Sequence, residues 1–127
     1  MFEATAKLKI REGELEGFKQ QAAEVIRQIS EQGRPLRYDW FLSEDGSECE
    51  VREAYENADA LLAHQQMVAE AKMKLMREFV VGHAMTFYDE PSPALAHALE
   101  TLGATYQQFS FLQGLEAQSK VREKVTA

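Results

Sequence analysis

The chain has 127 residues, 45% of them hydrophobic and 28% charged, with a formal net charge of −7. That size suits one domain burying roughly two-thirds of its extended surface, and the acidic balance argues against a nucleic-acid partner or attraction to anionic membranes. No apolar run approaches the roughly 20 residues that span a bilayer, no signal-peptide pattern is present, and the lone Cys49 offers neither an intrachain disulfide nor a multi-cysteine metal motif, so a cytoplasmic protein is expected.

Phe2 to Ile10 alternates strictly, with Phe2, Ala4, Ala6, Leu8 and Ile10 on one face and Glu3, Thr5, Lys7 and Lys9 on the other. This is the pattern of a half-buried strand. Small Ala4 and Ala6 leave space above the sheet, for close helix packing or the floor of a pocket. Arg11 to Gly13 reads as a turn, and a helix follows from about Glu14 to Gln32 with the apolar stripe Leu15, Phe18, Ala22, Val25, Ile26 and Ile29. Gly33 is the expected C′ residue and Pro35 blocks continuation.

Leu36 to Tyr55 reads as a hairpin about the Asp45-Gly46 pair, a strong short-range turn signal. That turn sets Leu42 opposite Cys49, Trp40 opposite Val51, Tyr38 opposite Glu53 and Asp39 opposite Arg52. Period-2 alternation then gathers Leu36, Tyr38, Trp40, Leu42, Cys49, Val51, Glu53 and Tyr55 on one face. Glu53 is the lone carboxylate on that apolar, aromatic face. A buried glutamate needs a donor, here expected to be Tyr38 or His64, or it takes up a proton.

Asn57 is a good N-cap and Asp59 sits in a helical first turn. One helix is expected from about Ala58 to Arg77, with the stripe Leu61, His64, Val68, Ala71, Leu75 and a second apolar flank of Leu62, Met73 and Met76. Phe79 to Tyr88 reads as a strand with Val81, His83, Met85 and Phe87 on one face and Val80, Gly82, Ala84, Thr86 and Tyr88 on the other. Ser92-Pro93 opens a short helix through Leu102 that stops at Gly103, with His97 exposed on it. Thr105 to Leu112 is a candidate added strand, and a charged tail or terminal helix follows from Glu116.

Strand, helix, strand, strand, helix, strand is the order of the ferredoxin-like split βαβ: an α+β fold, an antiparallel sheet with two helices on one face. Residues 1–90 form that unit and 91–127 a C-terminal extension of the same domain. The second sheet face, with Phe41, Val80, Ala84, Thr86 and Tyr88, is more apolar than water favours, so a two-fold dimer through the sheets is expected.

The run Glu53-x-Tyr55, Asn57-x-Asp59-Ala60-Leu61, His64, with the Tyr38-x-Trp40-Phe41 strand, resembles the antibiotic-biosynthesis monooxygenase-like family of the dimeric α/β-barrel superfamily. The resemblance spans roughly Phe2 to Tyr88. It implies oxygenation of a quinol or polyphenol-like aromatic without metal or flavin. Members of the wider family also include haem-degrading enzymes, small-molecule isomerases and proteins without known activity. The haem-degrading branch, which the resemblance disfavours here, uses an asparagine in the first strand, plus a tryptophan and a histidine on the second helix. This chain has Thr5 or Lys7 there, and its one tryptophan, Trp40, is on the hairpin. The aromatic-proline segment of many quinol-type members is replaced by Gln65-Gln66-Met67-Val68.

On that reading His64 is the catalytic base and Glu53 its helper, with Tyr38, Trp40, Tyr55 and Met85 as substrate contacts. The bland alternative is a core histidine, an edge carboxylate and ordinary core aromatics, with Met73, Met76 and Met85 filling the interior of a non-catalytic ligand-binding protein. His83 is weighed as a core or dimer-contact residue. A metal triad of His64, His83 and Glu53 has no supporting spacing.

Overall fold

The computed structural model describes residues 1–32 and 35–115. Gly33 and the tail from Glu116 lie outside the described residues. The elements run β1 (Phe2–Ile10), α1 (Leu15–Gln32), β2 (Arg37–Leu42), β3 (Glu48–Tyr55), α2 (Ala58–Met67), α3 (Ala69–Phe79), β4 (Val80–Phe87), α4 (Pro93–Thr101) and β5 (Tyr106–Gln108). One sheet in the order β2-β3-β1-β4-β5 carries the helices. The α+β, ferredoxin-like arrangement is therefore present, extended by a fifth strand.

The hairpin register is the expected one, with Tyr38 opposite Glu53, Asp39 opposite Arg52, Trp40 opposite Val51 and Leu42 opposite Cys49. The turn chemistry explains why. Gly46 takes the left-handed φ of 74° that a side chain would oppose. Asp45 Oδ1 accepts from Ser43 Oγ, Ser47 Oγ and the Ser47 N–H, closing the loop on itself. Antiparallel pairing of β3 with β1 then aligns Ala4 with Glu53 and Ala6 with Val51. Ala4 and Ala6 are buried in core clusters, Ala4 with Ala58 and Leu61 of α2, so the space above them is taken by close packing.

Three expectations need correction. The helix from Ala58 is two helices, broken at Val68, where φ is −103° and ψ is 11°. The Val68 N–H still bonds the His64 carbonyl and its own carbonyl still accepts from Lys72 N–H, so the break is a change of direction rather than a loop. Its physical reason is packing: the main partner of α2 is α4, whereas α3 lies chiefly against α1 and also meets β4. One straight rod would not bury both Leu61 and His64 in its first half and Ala71 and Leu75 in its second. Met73, expected on the inner flank, is exposed on the turned half.

The second correction concerns β4. Lys9 pairs with Gly82 but Ile10 pairs with Val80, leaving Val81 as an extra residue. Such a bulge reverses the alternation beyond it. Val80 therefore joins Ile10 in the core and Val81 is exposed, opposite to the faces read from strict period 2. His83 stands opposite Leu8 yet is exposed, so it is not a core histidine. Third, the added strand is short: Tyr106–Gln108 pairs parallel with Met85–Phe87, and Phe109 N–H bonds the Phe87 carbonyl.

The C-terminal helix is anchored as its sequence requires. Ser92 Oγ accepts from Leu95 N–H and donates to Asp59 Oδ1 at 2.6 Å, tying α4 to the start of α2. Gly103 ends it at φ 68°. His97 is exposed, as expected.

Candidate functional site

The layer between β2, β3 and the broken helix pair is where the sequence-predicted residues meet. Glu53 and Tyr55 share the inner face of β3 by their i, i+2 spacing, and Tyr55 Oη donates to Glu53 Oε1 at 2.6 Å. Tyr55, rather than Tyr38 or His64, is thus the donor to the buried carboxyl. His64 reaches the same layer because Asn57 caps α2, its Oδ1 accepting from Ala60 N–H at 2.8 Å, and seven residues on the helix presents the imidazole to the sheet. The His64 ring lies 4.7 Å from that of Tyr38 and 5.3 Å from that of Tyr55, both edge-on. Tyr38 in turn meets Trp40 at 5.7 Å, and Trp40 meets Phe18 of α1 at 6.1 Å.

Five of the six predicted residues are therefore one cluster. Met85 has no ring or hydrogen-bond contact with them among the described residues: β4 is separated from β3 by β1, and Met85 packs against two core clusters, one of which Tyr38 and Trp40 also border. Sequence reading also missed one member. Lys72 of α3 donates from Nζ to Gln65 Oε1 at 2.9 Å and interacts electrostatically with Glu53 and His64. On an unbroken helix Lys72 reads as the polar flank of the stripe. The turn at Val68 is what brings it inward, and no glycine or proline marks that turn.

Burial dominates the electrostatics. Glu53 is 2% exposed and His64 5%. Desolvation drives the Glu53 carboxyl above its usual range, against the opposing pull of Lys72 and the Tyr55 hydrogen bond. The same burial, with the Lys72 cation adding to it, lowers His64 to about 4, so the imidazole is neutral at pH 7. Lys72 itself is pushed down by burial and held up by Glu53. Tyr38 and Tyr55 are both raised, by burial first and by Glu53 second. Two buried polar atoms in the layer have no hydrogen-bond partner among the described residues, Trp40 Nε1 and His64 Nε2. Buried polar groups are nearly always paired, so two orphans beside one tyrosine ring need a reason.

Two cavities, of about 420 Å³ and 520 Å³, lie elsewhere, one on the outer sheet face beside Phe41, Glu50 and Arg52 and one between α1 and α3. Among the described residues no group of three or more His, Cys, Asp or Glu side chains is disposed to hold a metal ion.

Residues 1–74, more than half of the chain, match the family model described as Antibiotic biosynthesis monooxygenase. The chain belongs to the antibiotic biosynthesis monooxygenase family. No curated protein matches it. Among solved structures, MupZ from Pseudomonas fluorescens is similar with a TM-score of 0.72 and 25% identity, over 93% of this chain and 90% of MupZ. A putative antibiotic biosynthesis monooxygenase from Nitrosomonas europaea matches with a TM-score of 0.61 and 18% identity, over 71% of this chain and 98% of that one. Another from Caulobacter crescentus gives 0.62 and 17%, over 72% and 90%. The latter two establish the fold alone. A match over 93% of the chain takes in elements after β4, so the family core here carries an extension that MupZ shares in shape. No helix among the described residues is long and apolar enough to cross a membrane.

Proposed function

We propose that this protein is a cofactor-independent monooxygenase acting on a quinol or polyphenol-like aromatic, with the cluster around His64 as its reaction site. The observation that carries the reading is the pair of unpartnered buried atoms, His64 Nε2 and Trp40 Nε1, beside a buried Glu53–Tyr55 hydrogen bond. Leaving a buried polar group unmade costs about 1–3 kcal/mol, which a purely structural core has no reason to retain twice. A ligand hydroxyl between these groups supplies what they lack.

His64, neutral at pH 7, accepts the proton of a substrate hydroxyl at Nε2. Glu53 does not touch His64 by a hydrogen bond; it holds the Tyr55 hydroxyl, whose ring packs against the imidazole, and so fixes the base through Tyr55. Tyr38 and Trp40 form the aromatic wall against which a flat substrate stacks. The electron-rich anion then reacts with dioxygen. A hydroquinone and dioxygen give a hydroxyquinone and water, all four electrons coming from the substrate. A second copy covers the outer face, where Phe41, Tyr88, Phe109 and Phe111 are exposed.

The non-catalytic alternative is favoured by one observation: neither cavity is lined by Glu53 or His64. Oxygen uptake with a panel of quinols and polyphenols separates the two. The proposal expects uptake above autoxidation, reduced at least about a hundredfold in His64→Ala, since a positioned general base contributes about two to four powers of ten. Uptake no faster than autoxidation across the panel sinks the monooxygenase reading, and a loss below about threefold removes His64 as the base. Light scattering that finds a monomer rejects the dimer.

A further inference from the structure

Among the described residues, Lys72 is a partly buried cationic group that the proposed mechanism leaves unused. It follows buried Ala71 and precedes buried Leu75 by one turn, so its stem runs along the packed side of α3. The break at Val68 turns α3 relative to α2, and the side chain folds back across it to Gln65. That bond is the one hydrogen bond of the Lys72 side chain among the described residues, for a group with three N–H donors. Among the described residues no carboxylate forms an ion pair with it. Its electrostatic counterpart is Glu53, across the layer on β3.

The ionisable groups of this layer are Cys49, Glu53 and Tyr55 from β3, Tyr38 from β2, His64 from α2 and Lys72 from α3. Among the described residues α1 contributes the uncharged Gln21, whose amide donates to the Ala71 carbonyl at 2.9 Å. The layer thus contains an ammonium with spare donors, an indole N–H with no acceptor and an imidazole nitrogen with no donor. An apolar ligand leaves all three unsatisfied. An oxygen that arrives as a hydroxyl and stays as an anion gives its proton to the imidazole and takes a donor from the ammonium, two groups that interact electrostatically.

We propose that Lys72 is the receptor for the ionised oxygen of the ligand, so that this site selects small phenols and binds them as phenolates. The inference rests on the monooxygenase reading for the class of ligand and names the charge state in which that ligand is held. On binding, the phenol O–H bond breaks, its electron pair stays on oxygen, and the proton goes to the lone pair of His64 Nε2. The phenolate oxygen then faces the Lys72 ammonium. In the empty site the Lys72 charge opposes protonation of His64. An anion between the two cancels that opposition, so proton transfer and anion capture occur together.

The test uses para-nitrophenol, whose phenol and phenolate forms absorb at different wavelengths, and para-nitroanisole, which cannot ionise. Both are titrated into the full chain and into its Lys72→Met variant. Methionine keeps the length of the stem and removes the charge, and thermal melting checks that the variant is folded, with Lys72→Arg as the variant that keeps the charge. The wild-type protein is expected to bind the phenol as phenolate at a pH where the free compound is largely neutral, and at least tenfold more tightly than the anisole. Lys72→Met is expected to lose that preference and return the bound compound to its neutral form, while Lys72→Arg retains part of it. An equal phenolate fraction in wild type and Lys72→Met overturns the proposal, as does equal affinity of the wild type for the two compounds, or no binding of para-nitrophenol. The readout is binding, so the two readings fail separately. Phenolate capture through Lys72 without oxygen uptake from any quinol overturns the monooxygenase alone. Quinol oxidation at the wild-type rate in Lys72→Met overturns the role of Lys72 alone.

Discussion

Replacing His64 with glutamine should remove a definite part of the protein's sensitivity to acid. Burial, with the Lys72 charge adding to it, lowers the imidazole from its ordinary 6.5 to about 4. Between those values the unfolded chain takes up a proton at His64 that the folded chain refuses, so falling pH draws the equilibrium toward unfolding. The contribution is fully present above pH 6.5 and is lost as pH falls toward 4. One unit of pKa difference corresponds to about 1.4 kcal/mol, so moving from about pH 7 to about pH 4.5 should take away about 2 kcal/mol through this residue alone. Glutamine does not titrate, and every other acid group is common to both proteins, so the difference between them isolates His64. Urea unfolding followed by the fluorescence of Trp40, the single tryptophan, is the assay. With a urea slope of about 1–3 kcal/mol per molar, the wild-type midpoint should fall by about 1 M more than that of His64→Gln. If the two lose stability in parallel, to within about 0.5 kcal/mol, His64 is not held neutral by its surroundings and the account of the layer fails.

Leu75→Ala, at a fully buried position of α3, should cost about 3 kcal/mol in urea unfolding, because the cavity it leaves faces the sheet core. Tyr55→Phe deletes the donor to Glu53 and should cost about 1–3 kcal/mol at neutral pH. Since the loss pushes the carboxyl still further up, the deficit should shrink as pH falls through the raised range of the folded carboxyl and stay constant below its ordinary 4.5, where both folded proteins hold it protonated, which thermal melts across pH will reveal. Gly17→Ala sets a helix-propensity gain of about 1 kcal/mol against a new Cβ that overlaps the ring of Phe79. Phe79 packs on the core, so the overlap should win and the variant should melt lower by about 1 kcal/mol.

The fold was legible because its signals are local and agree. Strict alternation in β1, the Asp45-Gly46 turn and the Ser92-Pro93 cap each name one structure, and the hairpin register placed Glu53 opposite Tyr38 as found. Glu53, Tyr55, His64, Tyr38 and Trp40 followed, since period 2 on a strand and one helical stripe suffice to set them in a common layer. What was not legible depends on distant packing. The bulge that exposes Val81 is a property of how β4 meets β1, and the turn at Val68 a property of α1 and α4 competing for the same helix. Lys72 was hidden by that second event, being polar in a position that only the break makes internal. Met85 lies apart from the other five because alternation gives a face, and a face does not say which strand lies between.

The three residues of β5 also govern how copies of this chain can join. A sheet with a long bare margin invites another strand, and then another, without a natural stop. Here the margin of β4 is taken over Met85–Phe87 by the chain's own Tyr106–Gln108, which hands the exposed margin to a segment too short to template more. At the opposite margin, β2 presents Arg37 and Asp39, both charged and largely exposed. Strand-by-strand growth is thus discouraged at both ends of the sheet. The pair proposed above would use the broad outer surface carrying Phe41, Tyr88 and Phe109, and two flat surfaces that meet face to face make a closed pair rather than a fibre.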